Sequence, residues 1–222
     1  KPVRKKYVLK KRDTIKNDYK VNYEQDLNEA QLEAIKSKEG PILVIAGAGS
    51  GKTKTLTYRV ARLIEDGIKP ENILLLTFTK KAAAEMLSRA TIVLDNRCEK
   101  VSGGTFHSFA NIILRKYSKL LGLKNNFTIM DRSDCEDVIN HIVAQMFPKK
   151  STLLDIYSKS INKVTQTKKI IANEFPQFEH CADKIIEIHK AYVAYKRENS
   201  VLDYDDLLLY IKLLLENNDQ LR

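Results

Sequence analysis

Ala46-Gly47-Ala48-Gly49-Ser50-Gly51-Lys52-Thr53, entered from the apolar run Ile42-Leu43-Val44-Ile45, decides how the rest of the chain is read. The small residues let the backbone wrap a polyphosphate so that successive N–H groups point at its oxygens, which bulky side chains would prevent. Lys52 then reaches the outer phosphates and Thr53 offers a hydroxyl to Mg²⁺, which makes these two the candidate catalytic residues. A helix starting here presents its N-terminus to the anion. The usual pattern opens with Gly where this chain has Ala46, so the match rests on Gly51-Lys52-Thr53 and on its flanks. A β-branched run precedes the loop, and Leu56, Val60, Leu63 and Ile64 follow at helical spacing. The competing reading is a Gly-rich connector between a strand and a helix.

The chain has 222 residues, 43% of them hydrophobic and 30% charged, which suits one large or two small globular domains. No apolar run approaches the roughly 20 residues that span a bilayer, and no apolar stretch follows the basic N-terminus. A cytoplasmic protein without a membrane partner is the expectation. Cys98, Cys135 and Cys181 are odd in number and widely spaced, which argues against a disulfide framework and a zinc site. The net charge is +10, but residues 1–22 hold nine Lys or Arg against two Asp, so most of the basicity is an N-terminal arm. Such an arm could hold nucleic-acid phosphates or be a solvated tail.

Asn28 can cap a helix carrying Leu32 and Ile35, and Gly40-Pro41 ends it. After the phosphate loop and its helix, Ile73-Leu74-Leu75-Leu76-Thr77-Phe78 reads as a buried parallel strand. The following helix shows Ala82, Met86, Ala90 and Leu94 on one face. A third strand near Val101–Thr105 feeds a helix with Phe109, Ile113, Tyr117 and Leu120, closed by Gly122. This alternation predicts an α/β domain with a parallel sheet flanked by helices. From about Leu123 to Lys196 only helical spacing recurs, at Val138, Ile142 and Met146 and at Ile185, Ile188, His189 and Tyr192, which predicts an all-α insertion. His141, His180 and His189 are scattered along it and read as structural or surface residues. Asp203, with Asp206 three residues on, then caps a last helix rich in Leu207, Leu208, Ile211 and Leu215.

A phosphate-loop enzyme also needs a carboxylate for the Mg²⁺ complex, usually at the end of an apolar strand. Asp95 follows Ile92-Val93-Leu94, but a helical period runs through that segment. Asp131 and the group Asp203, Asp205, Asp206 each follow apolar pairs too short for such a strand, and they read first as helix starts.

Several segments, in order over most of residues 27 to 215, resemble the superfamily-one DNA helicases of the UvrD, Rep and PcrA type. Leu27-Asn28-Glu29-Ala30-Gln31 is similar to the family's opening motif, which implies that Gln31 meets the adenine edge; Asn28 with Gln31 is equally a capping box. Lys54 stands where the family often places an Arg beside the base, and it lacks the planar guanidinium that stacks. The ATP-binding set implied is Gln31, Ala46, Gly47, Ala48, Gly49, Ser50, Gly51, Lys52, Thr53 and Lys54. Thr77-Phe78-Thr79-Lys80 and Thr105-Phe106-His107 resemble segments that meet single-stranded DNA, with Lys80 where an Asn is common. An aromatic face beside a Lys can stack a base while neutralising a phosphate; the competing reading makes both Phe core residues. Leu202-Asp203-Tyr204-Asp205-Asp206-Leu207-Leu208 looks like the motif where the first motor domain resumes after its helical insertion.

The resemblance implies a P-loop, RecA-like nucleotide-binding domain over 23–122 and 197–222, interrupted by a helical insertion over 123–196 and preceded by the arm 1–22. It implies an ATP-dependent DNA helicase as parent, using ATP and Mg²⁺, moving 3′ to 5′ on single-stranded DNA and on junctions with 3′ single-stranded tails. The chain would be its N-terminal fragment, ending before the family's Asp-Glu motif and lacking the downstream RecA-like domain, so inactive alone. A non-catalytic nucleotide or strand-binding module and the motor part of a helicase-nuclease are the alternatives.

Overall fold

Side-chain caps start most of the helices in the structure, a computed structural model that describes residues 19–37, 40–143 and 148–221. Met146 and the arm as far as residue 18 lie outside the described residues. Contacts divide the chain into two units, one ending at Gly104 and one beginning at Thr105.

In the first unit, α1 (Tyr23–Asp26) and α2 (Glu29–Lys36) begin at Asn22 and Asn28, each accepting from the backbone N–H three residues on. The phosphate loop leads into α3 (Lys52–Glu65), followed by β1 (Leu74–Thr77), α4 (Lys80–Val93) and β2 (Ser102–Thr105). β1 and β2 pair as a two-stranded sheet. Ile35, Val60, Ala61, Ile64, Leu75 and Ala90 form the centre of its core.

The run Ile42-Leu43-Val44-Ile45 is not a strand. It makes no ladder, and Leu43 and Ile45 are 85% and 89% exposed. A parallel strand draws all of its ladder bonds from neighbours, and no described strand pairs with this run. The strand read at 73–78 does form, but with one face covered: Ile73, Leu75 and Thr77 are buried while Leu74 is 45% exposed.

The second unit runs α5 (Phe106–Tyr117), β3 (Thr128–Ile129), α6 (Arg132–Ile142), α7 (Lys150–Asn162), α8 (Thr167–Glu174), α9 (Ala182–Asn199), β4 (Val201–Leu202) and α10 (Tyr204–Glu216). A 3₁₀ turn over Ser118–Leu121 continues α5, and Gly122 closes it in the left-handed region at φ 67°. β3 and β4 pair in parallel, Thr128 with Val201 and Ile129 with Leu202, so α6–α9 leave and return at neighbouring strands. The helices α6, α7, α8 and α9 share one core around Ile139, Ile156, Ile171 and Ile185. A second core joins α5 to α10 through Ala110, Leu114, Leu207 and Leu214. Helices predominate and each sheet has two strands, which is consistent with an α/β fold.

Helix α7 ends in a Schellman motif: Val164 N–H bonds to Ile161 O at 3.1 Å and Thr165 N–H to Ser160 O at 3.0 Å. The motif puts Val164 at φ 50°, a left-handed conformation held by a β-branched residue that is 78% exposed. That conformation costs an L-residue about 1–2 kcal/mol. Val164→Gly is therefore expected to stabilise the chain by about 1 kcal/mol, after glycine's larger unfolded-state entropy is counted. A urea midpoint that falls instead would contradict this.

Candidate functional site

The loop from Ala46 to Gly51 turns on two glycines in the left-handed region, Gly49 at φ 77° and Gly51 at φ 85°. Gly51 immediately precedes α3, which has no side-chain cap, so the first N–H groups of that helix are left for another acceptor. Ser50 closes the turn through its hydroxyl, which donates to Gly47 O at 2.7 Å. The Lys52 ammonium donates to Ala46 O at 3.0 Å and Gly47 O at 2.6 Å, so it folds back over the loop. Nothing lies within 4 Å of where side chains would project at Gly47 and Gly49. A concavity of about 240 Å³ opens beside the loop, lined by Gln31, Ala34, Val44, Ala46, Ser50 and Lys52 among others.

Thr53, the second residue of α3, is half-buried. Among the described residues no group of three or more His, Cys, Asp or Glu side chains could hold a metal ion. The Thr53 hydroxyl is the kind of hard oxygen donor that would suit a Mg²⁺ arriving with a polyphosphate. Asp95, Asp131 and Asp203 are all helix caps.

Gln31 sits against this loop. It completes the capping box of α2, accepting from Asn28 N–H at 3.2 Å, and its amide donates across to Ser50 O at 3.0 Å. The sequence shows the box but not the partner 19 residues away. Lys54 donates to Asp26 O and lies 5.5 Å from the Tyr58 ring, whose hydroxyl donates to Asp26 Oδ2 at 3.1 Å. Ala48 is exposed at the tip of the turn.

In the first unit the strand-contact candidates Thr77, Phe78, Thr79 and Lys80 fall at the end of β1 and the start of α4. Thr77 is buried and donates to Thr79 O at 2.7 Å; Thr79 caps α4, accepting from Ala82 N–H at 3.1 Å. These bonds stiffen the turn that presents Phe78, 94% exposed, and Lys80 beside it. In the second unit Thr105 caps α5, accepting from Ser108 N–H at 3.1 Å, and Phe106 is 47% exposed. The core reading of the two phenylalanines does not hold. His107 meets Tyr204 edge to face at 5.4 Å, a pairing across 97 positions that no local pattern announces.

Sequence reading also missed a buried ionic cluster. The Lys196 ammonium lies 2.7 Å from Asp203 Oδ2 and 2.7 Å from Asp206 Oδ2, with its side chain 6% exposed. Burial opposes its charge, but Asp206 and Asp203 outweigh that and raise its pKa. Burial would raise Asp203 as well, yet Lys196 holds it below the usual carboxylate range. His189 stacks on Tyr157 at 4.2 Å, and burial, helped by the Lys196 charge, pushes its pKa down to about 4. It is a half-buried, neutral residue stacked on a tyrosine.

The UvrD/REP helicase N-terminal domain is the family whose model matches this chain, over residues 27–222. An ATP-dependent DNA helicase PcrA from Staphylococcus epidermidis (strain ATCC 35984) is 34% identical over 193 residues, covering 83% of this chain and 26% of its own length. A PcrA from Staphylococcus aureus (strain Mu50) is 33% identical over 186 residues, covering 82% and 26%. The chain therefore spans about a quarter of the length of these curated relatives.

Proposed function

The chain belongs to the UvrD/REP helicase N-terminal domain family, and on that footing we propose that it is the nucleotide-gripping, strand-contacting N-terminal part of an ATP-dependent DNA helicase with a RecA-like first domain. The observation that carries this is the loop itself: two left-handed glycines, uncapped N–H groups at the start of α3, and an ammonium poised over them. In this reading the amides and the Lys52 ammonium bind the triphosphate, and the Thr53 hydroxyl would help hold a Mg²⁺ brought with it, which would neutralise phosphate charge. Phe78 and Phe106 stack bases without regard to sequence, and Lys80 screens the strand's phosphates, as a motor that walks along any sequence requires. Turnover and unwinding belong to the full-length parent, where an arginine supplied to the transition state adds roughly 10³–10⁵ in rate. The helical segment 123–196 is assigned to the family's insertion.

The test is binding by the 222 residues. A labelled ATP analogue should bind and be displaced by inorganic tripolyphosphate, and a labelled oligo-dT should bind with an affinity that falls as salt rises. Phe78→Ala should weaken oligo-dT binding by about 1–3 kcal/mol, the value of one stacked base, while leaving the urea midpoint within about 0.5 kcal/mol of the parent. A chain that binds neither polyphosphate nor oligo-dT overturns the proposal.

A further inference from the structure

We infer that Arg59, about two turns along α3 from the phosphate loop, is a positioning residue for base recognition: by holding the last carbonyls of α2 it sets where Gln31 and Ala34 stand against a bound base. The inference rests on the nucleotide reading of the loop and on Gln31 meeting the base edge, and it names what keeps that glutamine in place.

A helix leaves its last carbonyls without partners of its own. In α2 the Ser37 N–H and hydroxyl both donate to Glu33 O at 3.1 Å. The next two carbonyls receive the Arg59 guanidinium, whose Nη1 donates to Ala34 O at 2.7 Å and to Ile35 O at 3.4 Å. The helix dipole favours a cation there as well. At the other end α2 follows Asp26, which α3 also grips: Lys54 donates to Asp26 O and Tyr58 to Asp26 Oδ2. One fixed end would leave a short helix free to swing, whereas two set its axis. The Ile35 side chain packs with Val60, Ala61 and Ile64 in the core. Such packing is non-directional, so it holds the tail of α2 down without fixing its angle; the bonds from Arg59 supply the direction.

The face fixed in this way is the one that meets the concavity beside the loop, where Ala30, Gln31 and Ala34 form part of the lining. Gln31 donates one N–H to Ser50 O and accepts from Asn28 N–H, which leaves one N–H and one lone pair for a base edge. Hydrogen bonds weaken steeply with misalignment, so a small swing of α2 costs those contacts. The grip on phosphate is spared, because Gly49, Gly51 and Lys52 belong to the loop and to α3. Arg59 thus acts on base selectivity and Lys52 on anion affinity.

The experiment is a competition series on the full 222-residue chain with N-methylanthraniloyl ATP as the probe and ATP, GTP and inorganic tripolyphosphate as competitors. The parent chain should favour ATP over GTP by about 3- to 10-fold, the size of one hydrogen bond. Arg59→Met keeps the packing of the stem and removes the donors. Its ATP to GTP ratio should fall to within about twofold of unity, while its tripolyphosphate affinity stays within about twofold of the parent's. Arg59→Lys, a point-charge donor without the planar fork, should fall between the two. Gln31→Ala should lose the ratio as well, and adding Arg59→Met to it should lower the ratio no further, as expected of two residues that act through one contact. An arginine that only supports the fold would weaken all three competitors by one factor and leave the ratio unchanged, and that result overturns the inference. Should Arg59→Met fail to fold by circular dichroism, Arg59→Lys decides, and a ratio equal to the parent's overturns the inference. A parent chain without a preference for ATP overturns it together with the base role of Gln31 and leaves the phosphate site standing. A parent chain that binds no polyphosphate overturns the nucleotide reading too.

Discussion

Lys196→Met is expected to destabilise the unit that begins at Thr105 by about 3–5 kcal/mol, the usual result of removing one partner from a buried ion pair. Lys196 bonds two carboxylates that also serve as the capping box of α10: Asp203 accepts from Asp206 N–H at 2.9 Å, and Asp206 accepts from Asp203 N–H at 3.0 Å. Tyr192 adds a hydroxyl to Asp203 at 3.0 Å, and its ring lies 4.6 Å from the ammonium. Methionine fills the volume of the lysine stem but leaves two buried carboxylates facing each other across one helix start. Urea denaturation measures the loss, and acid should shrink it. Without the ammonium, burial and mutual repulsion raise the folded-state carboxylate pKa values above their unfolded values. The folded variant then binds protons more readily than the unfolded chain, and its deficit narrows as pH falls. A loss below about 1 kcal/mol would mean that water screens the cluster as it screens a surface pair.

What was legible in the sequence is what is decided within a few residues. Asn28 and Asp203 cap helices because an acceptor side chain three residues before a matching partner closes a box whatever surrounds it. Thr79 and Thr105 also start helices, each by its hydroxyl alone with no reciprocal box, and the sequence reading passed over both; Gly51 marks the left-handed entry to α3. The run Ile42–Ile45 failed because strand formation is settled by lateral neighbours, which its composition does not contain. In the candidate site the loop residues could be read off directly, whereas the Gln31 bond to Ser50 and the contact of His107 with Tyr204 are non-local. Lys196 looks like a solvated position in the stretch Lys196-Arg197-Glu198. Its burial follows from the turn at Ser200, at φ 54°, which brings Asp203 and Asp206 back onto α9.

Lys52→Ala should weaken ATP and tripolyphosphate binding by about 1.5–3 kcal/mol, roughly 10- to 150-fold, with little change in folding stability. The ammonium is exposed and, among the described residues, bonds to the Ala46 and Gly47 carbonyls of its own loop, so the fold does not depend on it. Those carbonyls are weak competitors for a cation that a triphosphate can reach: neutral acceptors on its own loop give way to charged oxygens, and the charge-assisted bond is about twice as strong. The alanine variant keeps the amides and the left-handed glycines, so residual binding would measure what the backbone contributes alone. Its affinity should also fall less steeply as salt rises, because one cation fewer meets the anion. In the full-length parent the same change should abolish unwinding, which separates a motor from a module that only holds nucleotide. Unaltered tripolyphosphate affinity in Lys52→Ala would mean that the anion does not sit in this loop.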